Sequence, residues 1–178
     1  GLGDVYKRQI LITSLIYAMD KIATTCGHYD AYRKGAKLAD NITLAMPLVS
    51  NKLNANNQCY NKDANELVRE IYADLVYLDP PYNSRQYCSN YHVLETIAKY
   101  DNPKLNGVTG LRDSSRQKSK FCSKRTVVET FEDLIRNANF KYIFLSYNNE
   151  GLMSLDTIKE IMSRYGKYSF FTKEYRLS

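Results

Sequence analysis

An aspartate, two prolines and a tyrosine stand together as Asp79-Pro80-Pro81-Tyr82, directly after the apolar run Asp74-Leu75-Val76-Tyr77-Leu78. These residue types suit one chemistry, the gripping of a planar amino group so that its nitrogen can act as a nucleophile. The exocyclic nitrogen of adenine is a poor nucleophile because its lone pair is delocalised into the ring. Two acceptors aimed at its two N–H groups favour the pyramidal geometry that frees the pair. The carboxylate of Asp79 is one candidate acceptor, and the carbonyl of Pro80 is the other. Proline fixes φ and carries no N–H that could divert the loop into other pairings. Dipoles preorganised in this way act where charge develops. Tyr82 offers a flat face to a base, worth roughly 1–3 kcal/mol by stacking. A base inside a duplex reaches such groups only by leaving the stack. The bland alternative is a strand-ending turn without chemistry; the position after an apolar run favours the functional reading.

The elements that must hold this loop follow from periodicity. The run 74–78 lacks alternation, as expected of a strand covered on both faces in a parallel sheet. Residues 142–145 form a second such strand, and 168–174 a last one. Alternation of Ile42, Leu44, Met46 and Leu48 predicts a further strand, with Pro47 arguing for an edge or bend. A brief strand is expected at Cys59-Tyr60. Helices are predicted over 10–25 (Leu11, Leu15, Met19, Ile22), 65–71, 90–100, 124–138 (Val127, Val128, Phe131, Leu134, Ile135) and 155–164. Ser154 is placed to cap the last of these, with Asp156 in its first turn. Strand and helix alternate, which predicts an α/β sandwich. Ligands of open α/β sheets bind beyond the carboxyl ends of the strands. Asp63, Asp79 and residues 146–149 are thereby expected on one rim.

Composition narrows the class. The chain has 178 residues, 44% of them apolar, enough for one domain with a core. A formal charge of +6 leans towards a polyanionic partner without requiring one. Cys26, Cys59, Cys88 and Cys122 are scattered, so neither a zinc site nor a disulfide framework is indicated, and a reducing cytoplasm fits. The stretch 10–23 is interrupted by Thr13, Ser14, Asp20 and Lys21, and is too polar and short to span a membrane. Residues 1–9 look like a non-native leader, with native sequence expected from Ile10.

The chain resembles the Dam-like DNA adenine N6-methyltransferases of bacterial restriction–modification systems, which use S-adenosylmethionine. The likeness rests on Asp79-Pro80-Pro81-Tyr82-Asn83-Ser84-Arg85-Gln86-Tyr87, on Asn61-Lys62-Asp63-Ala64-Asn65, and on Phe144-Leu145-Ser146-Tyr147-Asn148-Asn149-Glu150-Gly151. It implies an incomplete Rossmann-like methyltransferase sandwich over 10–178, acting on double-stranded DNA with a flipped adenine. It also implies that Asp79, Pro80, Pro81 and Tyr82 form the catalytic loop. Asp63 is implied to accept from the cofactor's amino group while Ala64 donates a backbone N–H. Asp63 also suits the N-cap of the following helix, and the two roles can coexist. The family's glycine-rich loop is not found here: Gly27 and Gly35 stand alone, which suggests a truncated fragment.

Between residues 111 and 125, Arg112, Arg116, Lys118, Lys120, Lys124 and Arg125 face a single acid, Asp113. Such a segment suits phosphate contacts that position a duplex; a solvated basic loop is the alternative. The stretch Gly27-His28-Tyr29-Asp30-Ala31-Tyr32-Arg33-Lys34 mixes aromatics with donors and could border the base. His92 reads as a packing or capping residue, and Tyr17, Tyr77, Tyr142 and Tyr168 fall at core spacing. Tyr147 and Asn148 are better placed to line a pocket. Methylation of RNA adenine or of a protein amide, or a non-catalytic nucleic-acid-binding remnant, are the competing functions. Aspartate at position 79 favours an adenine amine over a protein amide, since relatives that methylate amides usually carry asparagine there; it does not separate DNA from RNA.

Overall fold

The computed structural model describes residues 2–25, 27–31, 33–37, 39–48 and 56–174, without the side chains of residues 2 and 3. In chain order the elements are α1 (Leu2–Ile22), α2 (Ala64–Leu67), β1 (Ala73–Leu78), α3 (Tyr87–Asn90) and α4 (His92–Lys99). There follow β2 (Leu105–Asn106), β3 (Leu111–Arg112), two short 3-10 turns, α5 (Val127–Arg136), β4 (Phe140–Leu145) and α6 (Leu155–Tyr165). Two compact units form: residues 1–59 with 86–118, and residues 60–85 with 119–178. No helix among the described residues is long and apolar enough to cross a membrane.

The second unit holds the α/β core. β1 and β4 pair in parallel, with Leu75 opposite Tyr142, Tyr77 opposite Phe144 and Leu78 opposite Leu145. On one face, Leu78, Ile143 and Leu145 pack against Val127, Phe131, Leu134 and Ile135 of α5 and Ile158 and Ile161 of α6. Val127 and Phe131 are fully buried. Val128, expected in this core, lies on the outer side of α5 and is exposed. Ser154 caps α6 by accepting from the Thr157 N–H at 3.1 Å, as its position predicts.

The expectation that both faces of the strands are covered does not hold. Leu75, Tyr77, Tyr142 and Phe144 form a ladder on the face away from α5 and α6, and all four are exposed, Tyr77 by 63%. Alternation is missing because the side chains on this bare face are as apolar as those on the packed one. The same finding corrects the core assignment of Tyr17, Tyr77 and Tyr142, each more than half exposed.

In the first unit α1 runs through residues 3–9 without a break. Its buried positions are Ser14 and Ala18, not the expected stripe, from which Leu11 is 62% exposed. Small side chains let neighbouring backbone approach closely, and the Ser14 hydroxyl donates to the Ala45 carbonyl at 2.6 Å. Residues 41–48 form no strand among the described residues. Where one helix was expected over 90–100, α3 and α4 meet at Tyr91, whose φ of −117° and ψ of 22° interrupt the spiral. An antiparallel pairing of β2 with β3 occupies part of the stretch expected to be irregular. Neither 57–61 nor 168–174 is a strand: among the described residues neither pairs with a ladder partner.

The contrast between the faces is measurable by urea denaturation. Phe131→Ala should destabilise by about 3–5 kcal/mol, the range for emptying a buried aromatic site. Phe144→Ser, on the bare face, should cost less than about 1 kcal/mol. Equal losses would show that the bare face is packed in solution.

Candidate active site

The loop bearing Asp79 begins where the parallel pair ends, and main-chain hydrogen bonds carry the pairing past the last strand residues. The Ser146 N–H donates to the Leu78 carbonyl at 2.9 Å, and the Leu152 N–H to the Tyr82 carbonyl at 2.8 Å. The loop is thus fastened at its start and at Tyr82 to the chain following β4. Beyond it, the Arg85 N–H donates to the Asn83 side-chain oxygen at 2.9 Å, closing an Asx turn. The buried Cys122 thiol donates to the Arg85 carbonyl at 3.3 Å. Between these anchors Asp79 is exposed, and its carboxylate makes no hydrogen bond or ion pair among the described residues. Pro80 and Pro81 are half-buried, and Tyr82 is 39% exposed. A rigid loop with an uncommitted carboxylate beside an accessible aromatic ring is an arrangement for receiving a donor from outside.

Tyr147 and Asn148, expected to line a pocket, are bound into the opposite turn. The Met153 N–H donates to the Tyr147 hydroxyl at 3.2 Å. Asn148 accepts from the Glu150 N–H through its side chain, at 2.8 Å, and from the Gly151 N–H through its carbonyl, at 3.0 Å. Gly151 is required sterically: a Cβ there would stand 2.2 Å from Tyr147 Cε1 and 2.9 Å from the Asn148 carbonyl oxygen. Leu152, which grips Tyr82, comes next in sequence. Neither Gly151 nor Leu152 stood out in the sequence as a support for the loop bearing Asp79, because backbone bonding leaves little side-chain signature.

Asp63 caps α2, its Oδ1 accepting from the Asn65 N–H at 2.9 Å. The second carboxylate oxygen makes no hydrogen bond among the described residues, and Ala64 opens the helix, where backbone N–H groups lack intrahelical partners. An acceptor beside a donor matches the amino-and-ring-nitrogen edge of an adenine. The third strand end expected beneath Asp63 is not formed; the two parallel strands alone place loops on the rim. α2 is instead held from the side. Asn65 donates to the Thr130 carbonyl at 2.9 Å and to Asp133 at 2.8 Å, and Arg69 reaches both Asp133 oxygens at 2.7 and 2.9 Å. With Arg136 adding a further contact at 3.0 Å, these donors hold the Asp133 carboxyl well below the usual range. A cavity of about 370 Å³ lies against α5, lined by Asp63, Asn65, Lys120 and Asp133 among others, but by none of residues 79–82. Methyl or proton chemistry at Asp79 needs a space that touches Asp79, so this cavity is not that space.

Of the basic residues, Arg112, Arg116 and Lys118 fall in the first unit and Lys120, Lys124 and Arg125 in the second. All are exposed except Arg112, which forms a fork with Asp101 at 3.1 and 2.5 Å. Only 8% of the Arg112 side chain is accessible, so its charge is already engaged within the fold. The pairing holds the Asp101 carboxyl below its ordinary range. In the 27–34 stretch, the Tyr29 N–H donates to the Asn90 carbonyl at 2.7 Å, tying this segment to α3. Burial, reinforced by Asp20, pushes the Tyr29 hydroxyl up. Tyr32 lies outside the described residues.

These features define an α/β protein whose candidate chemistry stands at the carboxyl ends of parallel strands. The chain belongs to the family described as D12 class N6 adenine-specific DNA methyltransferase, which it matches over residues 3–161. Among curated relatives, the type II methyltransferase M.NlaIII of Neisseria lactamica is 48% identical over 167 residues, covering 93% of this chain and 49% of the relative. The type II methyltransferase M.FokI of Planomicrobium okeanokoites is 42% identical, covering 93% and 26%. The modification methylase LlaI of Lactococcus lactis subsp. lactis is 40% identical, covering 93% and 28%. The chain therefore spans about half the length of these relatives, or less. No solved structure matches it.

The dependence of the 147–153 turn on a missing Cβ is open to a double-mutant cycle. Gly151→Ala should lower stability by about 1–3 kcal/mol, the cost of overpacking. In a Tyr147→Ala background the same substitution should cost much less, since the ring it displaces is gone. Additive losses in chemical denaturation would refute the contact.

Proposed function

We propose that this chain carries the catalytic part of an enzyme that transfers a methyl group from S-adenosylmethionine to N6 of adenine in double-stranded DNA, within a restriction–modification system. Family membership supports the reaction class, and the relatives are named as type II methyltransferases and modification methylases. The observation that carries the reading is the exposed, unpartnered Asp79 carboxylate in a loop fastened at the rim of a parallel strand pair. On this reading the parallel strand pair belongs to a Rossmann-like methyltransferase sandwich, with residues 10–178 in its catalytic domain. The thiols of Cys59 and Cys88 suit a cytoplasmic setting.

In the proposed mechanism Asp79 accepts one N–H of the flipped adenine amine and the Pro80 carbonyl accepts the other. Both acceptors are fixed before the base arrives, so little reorganisation accompanies the growth of charge on nitrogen. Tyr82 stacks on the base, standing in for the neighbouring bases of the duplex that it has left. Asp63 and the Ala64 N–H would hold the adenine end of the cofactor, which when bound supplies an electrophilic methyl group on a sulfonium. The proton released from the amine passes first towards the Asp79 side. Arg116, Lys118, Lys120, Lys124 and Arg125 would contact phosphates; Arg112 contributes by holding β3 to Asp101.

Asp79→Ala in the full-length protein should abolish transfer of tritiated methyl groups to duplex DNA while leaving cofactor affinity within about twofold, since the carboxylate acts mainly on the transition state. Transfer at the wild-type rate would end the assignment, and label reaching only RNA or protein would reassign the substrate. Replacing Lys118, Lys120 and Lys124 by glutamine should weaken DNA binding. It should also reduce the slope of log K against log salt by about 0.9 for each phosphate contact removed. An unchanged slope would return these lysines to the solvated surface.

A further inference from the structure

His92, the first residue of α4, has no solvent exposure, and both its ring nitrogens meet main-chain carbonyl oxygens. Nδ1 lies 2.6 Å from the Ser89 carbonyl and Nε2 lies 2.7 Å from the Thr109 carbonyl. A carbonyl can only accept, and a neutral imidazole has a single N–H to give. A neutral ring would therefore set one nitrogen lone pair against an oxygen lone pair at a side chain closed to solvent. A ring carrying hydrogen on both nitrogens satisfies both oxygens, and hydrogen bonds from a charged donor are the stronger kind. Burial without a paired carboxylate and the N-terminus of α4 both oppose a cation there, and the two direct bonds from a charged donor act against them.

The two oxygens belong to different elements. Ser89 is in α3, close behind the catalytic loop in sequence, whereas Thr109 stands in the turn between β2 and β3. That turn has left-handed glycines at both ends, Gly107 with φ of 70° and Gly110 with φ of 68°, and is closed by a Gly110 N–H to Gly107 carbonyl bond of 3.3 Å. The base of the hairpin is tied separately, through Arg112 to Asp101 and, at 3.4 Å, to the Thr96 hydroxyl. Thr96 in turn donates to the His92 carbonyl at 2.8 Å. The carboxylates of the surrounding elements are committed elsewhere: Glu95 to Lys99 and Gln117, and Asp101 to Arg112. Arg8 of α1, the helix packed on α4, donates to the Ala98 carbonyl.

We propose that His92 is a positioning residue, a doubly protonated clamp that fixes the tip of the β2–β3 hairpin to the α3–α4 corner. It thereby sets the point from which the chain departs towards Arg116 and Lys118. The clamp stands on geometry alone; its consequence for DNA rests on the phosphate contacts proposed above.

Nitrogen-15 NMR of the full chain with labelled histidine tests the clamp. The His92 signals should show two protonated nitrogens, each with a slowly exchanging hydrogen. A protonated and an unprotonated nitrogen, the signature of a neutral tautomer, would overturn it. His92→Gln, which keeps one donor, should raise the KM for duplex DNA several-fold in the full-length enzyme with little change in kcat at saturating DNA. An unchanged KM would remove the positioning role. If the variant fails to fold, Thr109→Pro, which moves the carbonyl without touching the ring, should give the same split between KM and kcat, and wild-type values there would also overturn the role. The glutamine variant of Lys118, Lys120 and Lys124 separates the two readings: an unchanged salt slope there, with the two-proton His92 signature intact, would sink the DNA contacts and leave the clamp.

Discussion

Two parallel strands end one residue before the loop that carries Asp79, and everything proposed for that loop depends on how those ends are held. A parallel pair places two outgoing chains side by side, so a hydrogen bond from one loop to the other needs no extra framework. The Ser146 N–H to Leu78 bond extends the ladder by one step, and the Leu152 N–H to Tyr82 bond closes the far side. Between these bonds lie two prolines, which have no N–H to misdirect and one fixed dihedral each. The loop is therefore rigid through covalent restriction and two backbone contacts, while the Asp79 side chain stays uncommitted. Few other arrangements leave a carboxylate both fixed at its root and available at its tip.

The legible parts of the structure were those written in side chains with a single meaning. Val127, Phe131, Leu134 and Ile135 recur at helical spacing and all are buried; Ser154 announces an N-cap and makes one; Asp63 precedes a helix and caps it. What could not be read was partnership. An apolar strand residue is the same letter whether it is covered or bare, so Tyr77 and Phe144 looked buried. Alternation at 42–48 looked like a strand, but a strand requires a neighbour, and none pairs with this segment among the described residues. At the site, Asp79 to Tyr82 and their place at a strand end were evident from types and spacing. The supports were not, since Leu152 acts through its N–H and Gly151 through an absent carbon.

Charge in this chain divides into two populations, and the division bears on what a positive surface means. Arg69, Arg112, Arg136 and Arg164 are each engaged with carboxylates of the fold. Asp133 shows what such engagement does: the side chains of Asn65, Arg69, Arg136 and Asn137 all donate to one carboxyl, and Asn65 and Arg69 thereby tie α2 and the turn after it to α5. Arginine suits this work because its planar fork meets both carboxylate oxygens at once. Lys118, Lys120 and Lys124, with Arg116 and Arg125, remain exposed on the surface. Pairs such as Arg69 with Asp133 and Arg112 with Asp101 cancel within the fold, so the formal charge of +6 resides on side chains outside these pairs, the exposed cations among them. On the proposed reading, compensated charge builds the scaffold, while the exposed cations and the unpartnered Asp79 carboxylate are the groups left to meet phosphate and base.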